Sequence, residues 1–110
     1  MNFKDMEERA RRVRALYADL ETRRHGRPWS RQEVALGFVG DVGDLAKLVQ
    51  AAEGVRAIDA VPEKLAHELA DCLWSVMTLA NLYGVDLEAS FAATMDELER
   101  GIEAKLRQPS

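Results

Sequence analysis

Apolar residues recur every three or four positions in four segments of the sequence, which is the spacing of one face of an α-helix. These segments run from about residue 3 to 24, 31 to 53, 62 to 83 and 87 to 102. No segment shows the strict alternation of apolar and polar residues that is typical of a half-buried β-strand. The connections are short and favour antiparallel neighbours, so the pattern predicts an all-α domain, built as a four-helix bundle.

Helix-breaking and helix-capping residues mark the ends of these segments. Glycine or proline follows each of the first three: Gly26 and Pro28, then Gly54, then Gly84. Ser30, with Glu33 three residues later, is a capping-box signature at the start of the second helix. Pro62 suits a first helical position, and Asp86 is an N-cap for the fourth helix. The predicted boundaries therefore have local chemical causes.

The third predicted helix is apolar around most of its circumference between Cys72 and Leu82. A helix of that kind lies at the centre of a core or in a subunit interface. A bundle of four helices has too few elements to enclose a central one completely. We therefore expect the chain to self-associate, and a two-fold dimer is the commonest solution.

Composition limits the domain number, the location and the partners. The 110 residues are 47% hydrophobic and 31% charged, which predicts a single globular domain over residues 1–110. The longest apolar runs fall far short of the roughly 20 residues of a membrane-spanning helix, and the charged N-terminal segment is unlike a signal peptide. Because Cys72 is the single cysteine, no internal disulfide can form, and we expect a soluble cytoplasmic protein with no membrane partner.

The net charge of −4 is unevenly distributed. Residues 1–27 hold eight Lys or Arg against five Asp or Glu, whereas residues 28–110 hold seven against fourteen. An acidic body argues against nucleic acid as a partner, because duplex binding depends on neutralising phosphates with basic groups. The basic first segment is either a solvated helix face or a contact for a small phosphorylated ligand.

Two carboxylate pairs interrupt the apolar stripes of the second and third helices. Asp41 and Asp44 form the first pair, and Glu68 and Asp71 form the second. Residues three positions apart project from the same face of a helix. Four carboxylates near a core would repel one another, and a hard divalent cation resolves that repulsion. The pairs therefore predict a site for Mg²⁺, with Mn²⁺ possible, and the competing interpretation is a set of surface charges that arose by chance.

Three glycines flank the first acidic pair, at Gly37, Gly40 and Gly43. Each costs about 1 kcal/mol relative to alanine inside a helix, so the sequence predicts that another helix or a ligand approaches the backbone there.

Other metal and cysteine chemistries fit the sequence less well. Di-iron bundles require a histidine three residues after a glutamate, and neither histidine of this chain has that spacing. One cysteine and two histidines are also too few for a typical structural zinc site, which has four Cys or His ligands. Cys72, inside an apolar run, is expected in the core.

Two segments resemble the signatures of the all-α nucleotide pyrophosphohydrolases, the MazG-like superfamily. Residues 40–46, GDVGDLA, are similar to its G-E-V-G-E-L-A element, and residues 67–74, HELADCLW, are similar to E-E-L-x-D-V-L. Together they resemble the family pattern E-x-x-E…E-x-x-D, with 23 residues between Asp44 and Glu68. The resemblance covers about residues 30–100 and is nearest to the dCTP pyrophosphatase and MazG-like branch.

The resemblance implies a helical bundle that forms a homodimer or a dimer of dimers. It also implies Mg²⁺-dependent hydrolysis of a nucleoside triphosphate to a monophosphate and pyrophosphate. The implied metal ligands are Asp41, Asp44, Glu68 and Asp71. An aspartate of the first pair would also take the proton of the attacking water. Trp29 or Trp74 is a candidate for stacking on the base, although core packing is favoured for Trp74.

Two departures from the family pattern bear on substrate binding and turnover. The first pair is Asp/Asp where the family usually has Glu/Glu, and the downstream K-M-x-x-N element reads TMDEL at residues 94–98. The cations that bind phosphate would then come from elsewhere, and the candidates are Lys47, Arg11, Arg12 and Arg14. One alternative is a catalytically degenerate MazG-like protein that binds nucleotides or a partner. The other alternative is a helical interaction module whose acidic pairs are surface charges that bind no metal.

Overall fold

The computed structural model describes residues 1–109, which form four α-helices and no β-strand. The helices are α1 (Phe3–His25), α2 (Arg31–Ala52), α3 (Val61–Leu82) and α4 (Leu87–Leu106). The all-α, four-helix prediction is confirmed, and each predicted segment matches one helix to within about a turn at either end. None of the helices in the described range is both long enough and apolar enough to cross a membrane.

Local side-chain hydrogen bonds set the helix starts. The Glu33 backbone N–H donates to the Ser30 hydroxyl at 3.2 Å, and the Ser30 backbone N–H donates to the Glu33 carboxylate at 2.9 Å. These two bonds form the predicted capping box. The Asp86 carboxylate caps α4 by accepting from the Ala89 N–H at 3.1 Å, and Pro62 lies in the first turn of α3. The sequence signals for the starts of α2, α3 and α4 are therefore confirmed.

The connection between α1 and α2 is fixed by the same glutamate. The Arg27 guanidinium donates to the two oxygens of Glu33 at 2.6 and 3.2 Å. These bonds, together with the bond from the Ser30 backbone, lower the pKa of Glu33 to about 2. Trp29 lies between the paired residues in the sequence, so these contacts restrict the position of its backbone.

α3 is the central helix and packs against both α2 and α1. It carries four of the seven buried residues among those described: Ser75, Met77, Thr78 and Ala80. On the α1 side, the Trp74 indole N–H donates to the Ala10 carbonyl at 3.2 Å, and the Trp74 ring lies 5.6 Å from the Tyr17 ring. α3 therefore occupies the central position that its apolar circumference indicates.

α2 and α3 lie side by side in opposite directions. Asp44 of α2 is next to Glu68 of α3, while Leu48, one turn later in α2, shares a cavity with Glu63, which comes earlier in α3. This antiparallel register places the two acidic pairs beside each other near the middle of the two helices. The packing of α2 on α3 is the most extensive contact between helices in the chain.

α4 packs far less than the other helices. It makes no comparable contact with α1, α2 or α3, and none of its residues is buried. One apolar stripe of α4 is exposed: Phe91, Met95, Leu98 and Ile102. The molecule measures 61 × 40 × 28 Å, and its radius of gyration is 17.8 Å, against about 13 Å for a compact domain of about 100 residues. The core of a single chain is therefore built by α1, α2 and α3.

Candidate functional site

Three carboxylates from two helices meet near the middle of the α2–α3 pair. Asp41 and Asp44 lie one turn apart on α2, and Glu68 faces them from α3. One oxygen from each side chain lies within 4.8 Å of the corresponding oxygens of the other two. The spacing of the aspartates puts both on one side of α2, and the antiparallel packing brings that side to Glu68. We call these three residues the acidic cluster.

The charges of the acidic cluster repel one another. Burial raises the pKa of Glu68, and the negative charges of Asp41, Asp71 and Asp44 raise it further. Glu68 Oε1 is buried, and no hydrogen-bond donor within residues 1–109 contacts it. A buried carboxylate oxygen without a partner is costly. The cluster is therefore an arrangement that a bound cation would stabilise.

Asp71, the fourth carboxylate of the predicted pairs, lies beside the acidic cluster and outside the group of oxygens within 4.8 Å. Its Oδ2 is 3.2 Å from Nε2 of His67, which lies one turn earlier on α3. Its charge still reaches Glu68, since it contributes to the raised pKa of that residue. The role of Asp71 as a metal ligand stays a prediction.

Cys72 is half-buried between these carboxylates and the helix core. Burial raises the pKa of its thiol, and the charges of Asp41, Glu68 and Asp71 raise it further. The thiolate, which is the nucleophilic form, is therefore disfavoured. This environment agrees with a packing role and gives no support to a covalent one.

A cavity of about 650 Å³ lies on one side of the acidic cluster, between α1, α2 and α3. Four aromatic side chains line it: Tyr17, Trp29, Phe38 and Trp74. Asp41 and Asp71 also line this larger cavity, so it reaches the cluster. Its volume is typical of a site for a small molecule, and aromatic rings offer surfaces on which a flat heterocycle stacks.

The position of Trp29 in the larger cavity depends on two contacts. The Trp29 backbone N–H donates to Glu21 at 2.8 Å, and Arg14 donates to both oxygens of the same carboxylate at 2.9 and 3.2 Å. Burial alone would raise the pKa of Glu21, but these hydrogen bonds bring it below its ordinary value. The Trp29 ring also lies against Gly37, where an added Cβ would be 2.9 Å from Cζ3 of the indole. A larger residue at position 37 would therefore displace the ring.

A second cavity, of about 400 Å³, lies toward the connection between α2 and α3. Asp44 and Glu68 of the acidic cluster line this smaller cavity, together with Lys47, Lys64 and His67. Six of its eight lining residues are ionisable, whereas the four aromatic rings named above all line the larger cavity. The acidic cluster therefore borders both cavities, and the four aromatic rings belong to the larger one.

The structure brings only part of the predicted phosphate-binding set to these cavities. Lys47 lines the smaller cavity. Arg14 lines the larger cavity, but its guanidinium is already paired with Glu21. Arg11 and Arg12 are exposed on α1 and line neither of the two cavities. Binding of phosphate by these four residues stays a prediction.

Sequence reasoning missed several residues that line the cavities. Tyr17 and Phe38 belong to the apolar stripes of α1 and α2, where the pattern alone indicates core packing. His67 is the first residue of the HELADCLW segment and Lys64 lies three residues before it, but neither was among the predicted site residues. A signal for Lys64 was present, because pairing Asp44 with Glu68 in antiparallel helices places the turn that follows Asp44 beside the turn that precedes Glu68.

Among residues 1–109, only one of the three glycines in α2 has a close neighbour. Gly37 contacts Trp29, which is a side chain of the α1–α2 connection, although the sequence predicted another helix or a ligand. At Gly40 and Gly43 an added Cβ would meet nothing within 4 Å, and both glycines are exposed. Any close approach at these two positions would have to come from another molecule.

The acidic cluster fits a hard divalent cation. Its donors are carboxylate oxygens, which Mg²⁺ and Mn²⁺ prefer, and one of them is the buried, unpartnered oxygen of Glu68. Oxygens bound to a single Mg²⁺ lie about 3–4 Å apart, so small rotations of side chains now within 4.8 Å would bring all three to one ion. The cluster itself holds no histidine or cysteine, so it is a poor match for structural zinc.

A comparison with protein-family models bears on the same two helices. The model of the MazG nucleotide pyrophosphohydrolase domain matches residues 39–102, a stretch of more than half the chain that contains both acidic pairs. No curated protein and no solved structure gives a significant match. Because the match covers more than half of the chain and includes the carboxylates of α2 and α3, the chain belongs to the MazG nucleotide pyrophosphohydrolase domain family.

Proposed function

We propose that this protein is a nucleoside triphosphate pyrophosphohydrolase that depends on a divalent metal ion and releases a nucleoside monophosphate and pyrophosphate. The observation that carries the proposal is the position of the acidic cluster, whose residues line both the larger, aromatic cavity and the smaller cavity. A nucleotide bound across the cluster would have its base in the larger cavity and its phosphates against the carboxylates. Membership of the family supports the same reaction class.

Mg²⁺ is the proposed metal, with Mn²⁺ as the alternative, because both take oxygen ligands. The proposed ligands are Asp41, Asp44, Glu68 and Asp71. When bound, the ion would neutralise phosphate charge and make a water molecule more acidic. The ligands come from two packed helices, so the backbone supplies a rigid frame for the site.

The protein's own residues orient the substrate and accept one proton. The oxygen of the attacking water bonds to the α-phosphorus, and the bond from that phosphorus to the bridging oxygen breaks. Pyrophosphate leaves with the bridging oxygen, and Asp41 or Asp44 takes the proton of the water. Trp29, which is 45% exposed, is the proposed stacking surface for the base. Trp74 is tied into the packing by its hydrogen bond to Ala10.

A pyrophosphate-release assay across the common ribo- and deoxyribonucleoside triphosphates tests the proposal. We expect release with at least one of them in Mg²⁺ and none after chelation of the metal. Isothermal titration with a non-hydrolysable triphosphate accompanies the assay. Binding without any turnover would favour the catalytically degenerate alternative, and the lack of both binding and turnover would reject a nucleotide site.

Mg²⁺ is expected to stabilise the folded protein. At 100 times its Kd, a ligand of the native state adds about 2.7 kcal/mol to the free energy of unfolding, a rise in Tm on the order of 10 °C for a domain of this size. Asp44→Asn is expected to raise the Tm of the metal-free protein by a few degrees, because it removes one of the repelling charges. The same change is expected to reduce the stabilisation by Mg²⁺.

Thermal unfolding with and without Mg²⁺ measures both effects. Asp59→Asn is the matched control, since Asp59 is exposed in the α2–α3 connection and lines neither cavity. A lower Tm for metal-free Asp44→Asn would mean that Asp44 has a structural hydrogen-bonding role, and that repulsion does not dominate in the cluster.

The homodimer, or dimer of dimers, is part of the proposal. The accessible surface of one chain is 8406 Å², whereas a compact monomer of 12.3 kDa is expected to expose about 6,100 Å². The excess of about 2,300 Å² is more than the roughly 800 Å² that each partner buries in a standard interface. The single chain therefore exposes enough excess surface to form a standard interface with a second copy.

Two exposed helix faces are the proposed contacts between copies. One is the apolar stripe of α4. The other is a face of α2 on which apolar and small residues follow helical spacing: Leu36, Val39, Gly40 and Gly43. The glycines would let a partner helix approach the backbone of α2 closely, which accounts for two residues that a single chain leaves unexplained.

A further inference from the structure

Arg14 and Glu21 of α1 bind both polar groups of the Trp29 backbone. The Trp29 N–H donates to the Glu21 carboxylate at 2.8 Å, and the Arg14 guanidinium donates to the Trp29 carbonyl oxygen at 3.4 Å. Arg14 also donates to the two oxygens of Glu21 at 2.9 and 3.2 Å, which closes a ring of hydrogen bonds. Trp29 lies outside the helices, so these bonds attach its backbone to α1.

This ion pair is shielded from solvent, unlike a second ion pair on the same helix. The side chains of Arg14 and Glu21 are 15% and 12% exposed, whereas those of Arg23 and Asp19 are 76% and 62% exposed. Water screens an exposed pair, which therefore contributes little to stability. Removal of one partner from a shielded pair leaves the other charge uncompensated. The position of Trp29 is therefore expected to be sensitive to a change at either Arg14 or Glu21.

The ring of Trp29 is located by a contact with α2, separate from the bonds to its backbone. An added Cβ at Gly37 would lie 2.9 Å from Cζ3 of the indole, so the absence of a side chain at this position makes room for the ring. Trp29, Gly37, Arg14 and Glu21 all line the larger cavity. Residues of α1 therefore fix the backbone of Trp29, and a residue of α2 fixes where its ring lies in the cavity wall.

We propose that Arg14 and Glu21 are positioning residues for the base of the substrate, because they hold Trp29 in the orientation in which its ring stacks on that base. The inference rests on the proposed function, and it gives Arg14 a role other than the predicted phosphate contact. A ring that is already in place loses little conformational freedom when the ligand binds, and this raises affinity. The ion pair therefore acts on the nucleoside part of the ligand and not on its phosphates.

Isothermal titration at saturating Mg²⁺ with two ligands, a non-hydrolysable nucleoside triphosphate and inorganic triphosphate, tests this role. Glu21→Ala and Arg14→Ala are each expected to weaken binding of the nucleotide about 10-fold, and to leave binding of inorganic triphosphate unchanged. The double variant is expected to lose about as much as either single variant, since the two residues act as one unit. In steady-state hydrolysis, KM is expected to rise while kcat stays nearly constant, because the lost contact is with the base.

Gly37→Ala is a second variant, which displaces the Trp29 ring while the ion pair stays intact, so it decides the test if loss of the pair unfolds the protein. It is expected to give the same selective loss of nucleotide binding.

The matched control is Asp19→Ala, which removes the exposed ion pair of α1 and lines neither cavity. This variant is expected to bind both ligands as the wild type does. If the wild type hydrolyses triphosphates but Glu21→Ala and Gly37→Ala bind the nucleotide normally, the positioning role is wrong and the proposed function stands. Equal losses of nucleotide and inorganic triphosphate would also reject that role. If the wild type binds neither ligand, the proposed function and the positioning role both fail.

Discussion

Glu68→Gln is expected to lower kcat/KM for triphosphate hydrolysis by about 10³-fold or more. The substitution preserves the shape of the side chain but removes the one carboxylate that α3 contributes to the acidic cluster. Charge stabilisation by a catalytic metal ion amounts to several kcal/mol, and each 1.36 kcal/mol is a factor of ten in rate. Steady-state release of pyrophosphate at increasing Mg²⁺ concentration measures the effect, and part of the loss is expected to appear as weaker metal dependence.

Thermal unfolding distinguishes a lost ligand from a damaged fold. Glu68→Gln removes a charge whose pKa is raised by burial and by neighbouring carboxylates. We therefore expect the metal-free variant to be at least as stable as the wild type. Glu8→Gln, an exposed change on α1 outside both cavities, is the control and is expected to be fully active. Activity of Glu68→Gln within threefold of the wild type would contradict a metal site at this cluster.

Disrupting the α4 stripe is expected to dissociate the oligomer. The variant with both Met95→Glu and Leu98→Glu places two charges in a stripe that is 40–52% exposed at these positions in the single chain. Carboxylates buried in an apolar interface lose hydration without gaining a partner. We expect light scattering to change from the oligomer mass to 12.3 kDa, with a fall in Tm on the order of 10 °C.

A charge placed on the other side of α4 separates an interface effect from an effect on the helix. At 100° per residue, position 93 lies nearly opposite the stripe, so Ala93→Glu adds a carboxylate without entering it. This control is expected to keep the wild-type mass. A double variant with unchanged mass, or a wild type that is a stable folded monomer at micromolar concentration, would rule out the α4 contact.

The helices were predictable because their start and stop signals are local. The capping box of Ser30 and Glu33, the cap at Asp86 and the helix-ending glycines act within a few residues, so the sequence alone determines them. The packing of α4 was not predictable in the same way. Its apolar stripe follows the pattern of a core helix, but the pattern does not distinguish burial within the chain from burial against a second copy.

The acidic cluster was only partly predictable. The i, i+3 spacing determines that Asp41 and Asp44 lie on one side of α2, yet the distance to Glu68 depends on the register of two packed helices. That register also separates Asp71 from the cluster and brings Lys64 to the smaller cavity. Helical periodicity could not predict the larger cavity, because an aromatic residue that lines a cavity has the same spacing as one that fills a core.

The most direct test of the central claim is product analysis after hydrolysis in ¹⁸O-labelled water with Mg²⁺. The accepted triphosphate is expected to yield equal amounts of nucleoside monophosphate and pyrophosphate, with the label in the monophosphate, because the water oxygen attacks the α-phosphorus. The label and the turnover are expected to disappear together in Glu68→Gln. Formation of a nucleoside diphosphate and orthophosphate, label in the pyrophosphate, or no product with any triphosphate would contradict a pyrophosphohydrolase centred on Asp41, Asp44 and Glu68.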